Sequence, residues 1–191
     1  TGVIRVATTG LDGPNAIAFD RFQRPLVTAI GLGGRPQVAL IEPDTTYRTL
    51  TREITSPNGL AFGSDGALYV ADTFQNRVVR MEESDDGTLT TPEIYASGLG
   101  LPDGIAFDDN GDLFVAGAGQ IWVVVPEEAP DARPFTTTGA LDGPASLAFG
   151  FGTNRDRSRL YFTNFGYPVI GSGTTVASVK VGISGAKLFA P

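Results

Sequence analysis

The chain has 191 residues, 41% of them hydrophobic and 18% charged, with a formal net charge of −7. It can bury a core in one domain or repeat array, while the scattered Lys and Arg exclude the basic patches that nucleic acid or an anionic membrane surface requires. Cysteine and histidine are both absent, which excludes disulfides, thiolate-bound zinc, the Ser-His-Asp triad and any imidazole base, and leaves carboxylates, amides, hydroxyls, Lys or Arg, or a metal held by oxygen.

Read in chain order, Val3 to Gly10 has the pattern of an outermost strand of a preceding unit. The phrase Gly13-Pro14-Asn15-Ala16-Ile17-Ala18-Phe19 follows, then apolar runs at Pro25 to Thr28, Gln37 to Ile41 and Tyr47 to Leu50. The phrase returns as Ser56-Pro57-Asn58-Gly59-Leu60-Ala61-Phe62, with runs at Ala67 to Val70, Arg77 to Met81 and Glu93 to Ala96. It returns again as Leu101-Pro102-Asp103-Gly104-Ile105-Ala106-Phe107, with runs at Asp112 to Val115, Ile121 to Val125 and Pro134 to Thr136. The last copy is Gly143-Pro144-Ala145-Ser146-Leu147-Ala148-Phe149, with runs at Arg159 to Phe162, Ser178 to Val181 and Lys187 to Ala190. The apolar run from Ile121 to Pro126 falls far short of the roughly 20 residues of a membrane-spanning helix.

The phrases recur at intervals of 43, 45 and 42 residues, and four strands per unit of that length is the recipe of a β-propeller blade. Ser64-Asp65-Gly66 and Asp109-Asn110-Gly111 are hairpin turns, because Asp-Gly and Asn-Gly accept the positive φ that tight turns need. The sequence therefore predicts an all-β propeller of four four-stranded blades, at about 13–50, 56–98, 101–138 and 143–190, with residues 1–11 as an outer strand of an earlier blade. We read these as the C-terminal four blades of a larger propeller completed by a missing segment or a partner chain. A closed four-bladed ring is the alternative.

Within the phrase, the Pro, the aliphatic residue, the Ala and the Phe are constant while one position reads Asn15, Asn58, Asp103, Ala145. The inner strand of each blade lines the channel, so pseudosymmetry predicts that these side chains lie just before it, in a ring at the channel mouth. Two amide oxygens and a carboxylate are hard ligands, suited to Ca²⁺ or Mg²⁺. The same residue types also form Asx turns before strands. Asp72 and Asn164, just after the second strands, read as solvated strand ends, and Trp122 as a residue packed between blades.

The sequence resembles the senescence marker protein/gluconolactonase (regucalcin-like) family. Ser56-Pro57-Asn58-Gly59-Leu60 with Leu68-Tyr69-Val70-Ala71-Asp72, and Pro102-Asp103-Gly104-Ile105 with Gly111-Asp112-Leu113-Phe114-Val115-Ala116, are similar to that family's successive metal-ligand blades. Pro144-Ala145-Ser146-Leu147-Ala148-Phe149-Gly150 and Leu160-Tyr161-Phe162-Thr163-Asn164 are similar to the blade after them. The resemblance implies a six-bladed propeller with one divalent metal at the channel mouth, Ca²⁺ ahead of Mg²⁺ or Zn²⁺, held by Asn58 and Asp103 with Asn15. It implies Asp103 as the catalytic carboxylate and Asn15 as a substrate contact, although the family usually has an acidic residue where Ala16 stands. The family's fourth ligand, a Glu of the first blade, has no counterpart here.

Two functions compete at this stage. One is a metal-dependent hydrolase of lactones or related esters, acting on a small lactone or sugar-acid derivative. The other is a non-catalytic, protein-binding propeller, because Asn58 through Val78 also resembles an NHL repeat. The cysteine-free acidic composition, the start at Thr1 and the Val179-Lys180-Val181-Gly182 segment, which resembles exported relatives, point to a secreted or periplasmic location.

Overall fold

The structure is a computed structural model and describes residues 2–117, 119–136, 141–150, 155–166 and 175–185. The first of its sheets contains β1 (Pro14–Phe19), β2 (Pro25–Ala29), β3 (Gln37–Ile41) and β4 (Tyr47–Thr51). The second contains β5 (Pro57–Phe62), β6 (Leu68–Asp72), β7 (Arg77–Met81) and β8 (Glu93–Ser97). The third contains β9 (Ile105–Phe107), β10 (Leu113–Gly117), β11 (Gln120–Val124) and β12 (Arg133–Thr136). The fourth contains β13 (Pro144–Phe149), β14 (Arg159–Asn164) and β15 (Val176–Lys180). Each is an antiparallel meander with neighbours in sequence order, so every copy of the repeat folds as one blade of a propeller. The run expected to be the outer strand of the last blade, Lys187 to Ala190, lies outside the described residues.

Residues 2–11 join no sheet. An outer strand pairs with the third strand of its own blade, and this segment has no such partner among the described residues. Val3, Ile4 and Val6 are exposed; from Ala7 to Leu11 the chain lies against β1, lining an apolar cleft of about 440 Å³ with Ile17 and Phe19.

The core is made between blades rather than within them. Leu26, Val38 and Leu40 of the first blade pack with Leu60, Leu68, Val70 and Met81 of the second. Tyr69, Val78 and Ala96 of the second pack with Ile105, Phe107 and Leu113 of the third, with Trp122 against the same cluster. Phe114, Ile121 and Val123 of the third meet Leu160 and Phe162 of the fourth. No such cluster joins the fourth blade to the first among the described residues. The repeated phenylalanine lies in these seams: Phe107 meets Tyr69 edge-on, with ring centroids 4.8 Å apart, and Phe149 meets Phe114 at 5.6 Å. In the first blade the equivalent Ile17 and Phe19 are 59% and 51% exposed, because no described blade precedes them.

Away from the channel mouth, carboxylates close the hairpins. Asp20 accepts the Phe22 and Arg24 amides at 2.8 Å each, and Asp108 accepts those of Asn110 and Asp112 at 2.9 and 3.0 Å. Arg24 also reaches across the seam to Glu83, 3.1 Å away and buried beside Asp20. Burial, and then the Asp20 carboxylate, push the Glu83 carboxyl up to about 6 against the pull of Arg24. A raised carboxyl stabilises the fold below its unfolded pKa and loses that contribution as pH rises through the folded value. Stability should therefore fall as pH rises from about 4 to about 7, by up to about 2 kcal/mol from this group. Scanning calorimetry of wild type and Glu83→Gln checks it: an equal fall in both proteins would remove Glu83 as the cause.

Candidate functional site

The residues of the ring stand at β-bulges. In the first blade the pairing steps from Pro14 opposite Ala29 to Ile17 opposite Val27, so Asn15 and Ala16 together face the single residue Thr28. The second blade steps from Pro57 opposite Asp72 to Leu60 opposite Val70, with Asn58 and Gly59 facing Ala71. The fourth does the same with Ala145 and Ser146 facing Thr163. In the third, the Asp103 amide donates to the Ala116 carbonyl at 2.8 Å and the Ala116 amide returns to the Gly104 carbonyl at 2.9 Å, although β9 begins only at Ile105. A bulge re-aims the side chain it carries, and a proline is tolerated where a strand begins or bulges. Asn15 and Asn58 thus lie inside their strands, not before them, while Asp103 keeps the expected place.

The three candidate ligands are brought together. Asn15 Nδ2 donates to Asn58 Oδ1 at 2.8 Å, and Asn58 Nδ2 donates to Thr73 Oγ1 at 3.2 Å. An Asn58 hydrogen bond also reaches the Asp103 carboxyl, whose pKa burial nevertheless raises. No ion pair to Asp103 occurs among the described residues. A desolvated carboxylate with amide company and no cation is a donor set that fits a hard divalent ion. It is a sparse one: among the described residues no three His, Cys, Asp or Glu side chains gather.

Close approach of the blades sets the size of the ring. The Gly59 amide donates to the Asp103 carbonyl at 3.0 Å, and the Gly104 amide to the Ala145 carbonyl at 2.9 Å. A Cβ on Gly59 would lie 2.3 Å from the Asp103 oxygen, and one on Gly104 2.4 Å from that of Ala145. Where this position carries a side chain, a threonine hydroxyl intervenes. The Ala16 amide donates to Thr28 Oγ1 at 3.1 Å, and that hydroxyl donates to the Asn58 carbonyl at 2.7 Å. The Ser146 amide likewise donates to Thr163 Oγ1 at 3.1 Å. Sequence reasoning missed these residues, yet the signal is present: Ala16 and Ser146 go with Thr28 and Thr163, Gly59 and Gly104 with Ala71 and Ala116.

Asp72 and Asn164 are buried, not solvated strand ends. Asp72 accepts the Ser56 amide at 2.9 Å, together with the Thr55 and Ser56 hydroxyls, and pairs with Arg77 at 2.9 Å. Asn164 Oδ1 accepts the Asp142 amide at 3.1 Å. Both fasten the segment entering the inner strand, so they position the ring from behind.

Residues 32–165 match the family described as SMP-30/Gluconolactonase/LRE-like region. The chain belongs to this family. Among solved structures, a luciferin-regenerating enzyme superposes with a TM-score of 0.74 at 20% identity, over 91% of this chain and 63% of its own. A gluconolactonase from Xanthomonas campestris gives 0.66 at 24%, over 85% and 57%. Regucalcin, a calcium-binding protein from Agrobacterium tumefaciens, gives 0.64 at 21%, over 78% and 52%. These likenesses establish the propeller fold. The chain spans about three fifths of the length of the structures it matches first. No curated protein matches it in sequence. Among the described residues no helix is long and apolar enough to cross a membrane.

Proposed function

We propose that this gluconolactonase-like chain carries the core of a metal-dependent hydrolase of lactones or related esters, with Asn15, Asn58 and Asp103 as oxygen ligands of one divalent cation, Ca²⁺ by preference. The observation that carries this reading is the half-buried Asp103 carboxylate, bonded to the Asn58 amide, which in turn accepts from Asn15, and paired with no basic residue among the described ones. A bound cation there supplies Lewis acidity toward a carbonyl oxygen and toward water. Asp103 would orient the attacking water and accept its proton. Asn58 holds Asp103 in place through an amide itself fixed by Thr73, whose hydroxyl donates to the Pro102 carbonyl at 2.7 Å. Asn15, the most exposed of the three, would meet the substrate.

Turning Asn58 Oδ1 toward a cation takes it from the Asn15 amide, at a cost of about 1 kcal/mol. With one formal charge among the three ligands, affinity should be modest. Calcium titration calorimetry of wild type, Asp103→Ala and Asn58→Ala tests the reading. Asp103→Ala should remove most of the binding and Asn58→Ala weaken it less, since only Asp103 brings charge. Three indistinguishable isotherms would overturn the metal site and leave the protein-binding scaffold ahead.

A further inference from the structure

Exposed apolar side chains stand at equivalent points around the channel mouth. Leu32, between β2 and β3, is 80% exposed; Phe74, between β6 and β7, 76%; Phe165, after β14, 51%. Each is anchored two residues before a ring position. Leu32 packs against Gly13, where a Cβ would lie 3.2 Å from Leu32 Cγ. The Phe74 amide donates to Ser56 Oγ at 2.7 Å, and the Phe165 amide to the Gly143 carbonyl at 2.8 Å. The ring positions beyond those anchors are Asn15, Asn58 and Ala145.

The third blade interrupts the series. Its equivalent connection is only residues 118 and 119, Ala-Gly in sequence, with Gly119 at φ +74°. Asp103, the charged member of the ring, therefore stands where the blade's own short connection sets no apolar side chain beside it. Two hydroxyl protons near the ring are already committed: Thr28 donates to the Asn58 carbonyl and Thr73 to that of Pro102, each at 2.7 Å. Hydroxyls of a polyhydroxylated lactone set against Leu32, Phe74 and Phe165 find no partner on those side chains and lose water there. An alkyl or aryl substituent gains from the same contact.

We infer that this mouth takes lactones or related esters bearing an apolar alkyl or aryl substituent, received by Leu32, Phe74 and Phe165, rather than polyhydroxylated sugar lactones. The reaction named in this inference rests on the hydrolase reading above; the apolar preference does not. The test compares δ-dodecalactone with glucono-δ-lactone, in saturation-transfer NMR for binding and a pH-indicator assay for turnover, both with calcium. Wild type should favour the dodecalactone at least about tenfold, and Phe74→Ser or Leu32→Ser should reduce that preference by about tenfold. Both side chains point into solvent, so the melting temperature of each variant should stay at the wild-type value.

Equal or reversed preference, or no binding of either lactone, overturns the inference. So does a preference that both serine variants leave untouched. A change in sedimentation of the variants with no change in lactone binding would make the rim a protein-docking surface instead. If calcium fails to bind while the dodecalactone still binds through the rim, the hydrolase reading fails and the apolar preference stands. If calcium binds and the preference is absent, the reverse holds.

Discussion

Phe107→Ala should destabilise the protein by about 3–5 kcal/mol, the usual cost of emptying a buried aromatic site, while Phe19→Ala, at the same position of the repeat, should cost under about 1 kcal/mol. The two residues share sequence context and strand position, in the first and third blades. They differ in what stands before them. Phe107 is 6% exposed and wedged against Tyr69, with Ile105 and Leu113 completing the seam. Phe19 faces outward from the first blade beside Ile17. Phe62, half-buried against the first-blade seam, should fall between them. Urea denaturation of the three variants measures this directly. A loss at Phe19 equal to that at Phe107 would mean that the outer face of the first blade is covered in solution, by a further blade or a second copy. A loss at Phe107 below about 1 kcal/mol would refute the seam itself.

Gly59→Ala should cost about 2–4 kcal/mol, and adding Ala71→Thr should return at least about 1 kcal/mol of it. The single substitution drives a methyl into the Asp103 carbonyl oxygen, 2.3 Å from the added carbon, and breaks the 3.0 Å bond from the Gly59 amide. Backbone oxygen cannot rotate away, so the second and third blades must part at the ring. The double substitution rebuilds at this seam what the first blade already uses, an alanine whose amide donates to a threonine hydroxyl that bridges to the next blade. Denaturation of the two singles and the double closes the cycle. Additive losses would show that the threonine bridge cannot stand in for the direct bond. Because the Asp103 carbonyl belongs to the proposed ligand, calcium affinity should fall with Gly59→Ala and recover with the pair.

The sequence alone determined the blades and the identity of the ring, because both depend on local signals repeated at a fixed period. Alternation of apolar residues, Asp-Gly and Asn-Gly turns and the returning Pro-x-x-aliphatic-Ala-Phe phrase are short-range facts, and a repeat stacks them the same way each time. Even the threonine and glycine pairing could be read there. Whether Asn15, Asn58 and Asp103 meet at all depended on two-residue bulges, which shift the register after each proline and cannot be seen in alternation. Burial of Asp72 and Asn164 was likewise hidden, since a polar residue at a strand end is solvated or buried according to which loop folds over it. Only the tertiary structure separated Phe107 from Phe19, or left Leu32, Phe74 and Phe165 exposed after the second strands of three blades, because exposure belongs to the neighbours a residue acquires and not to the residue.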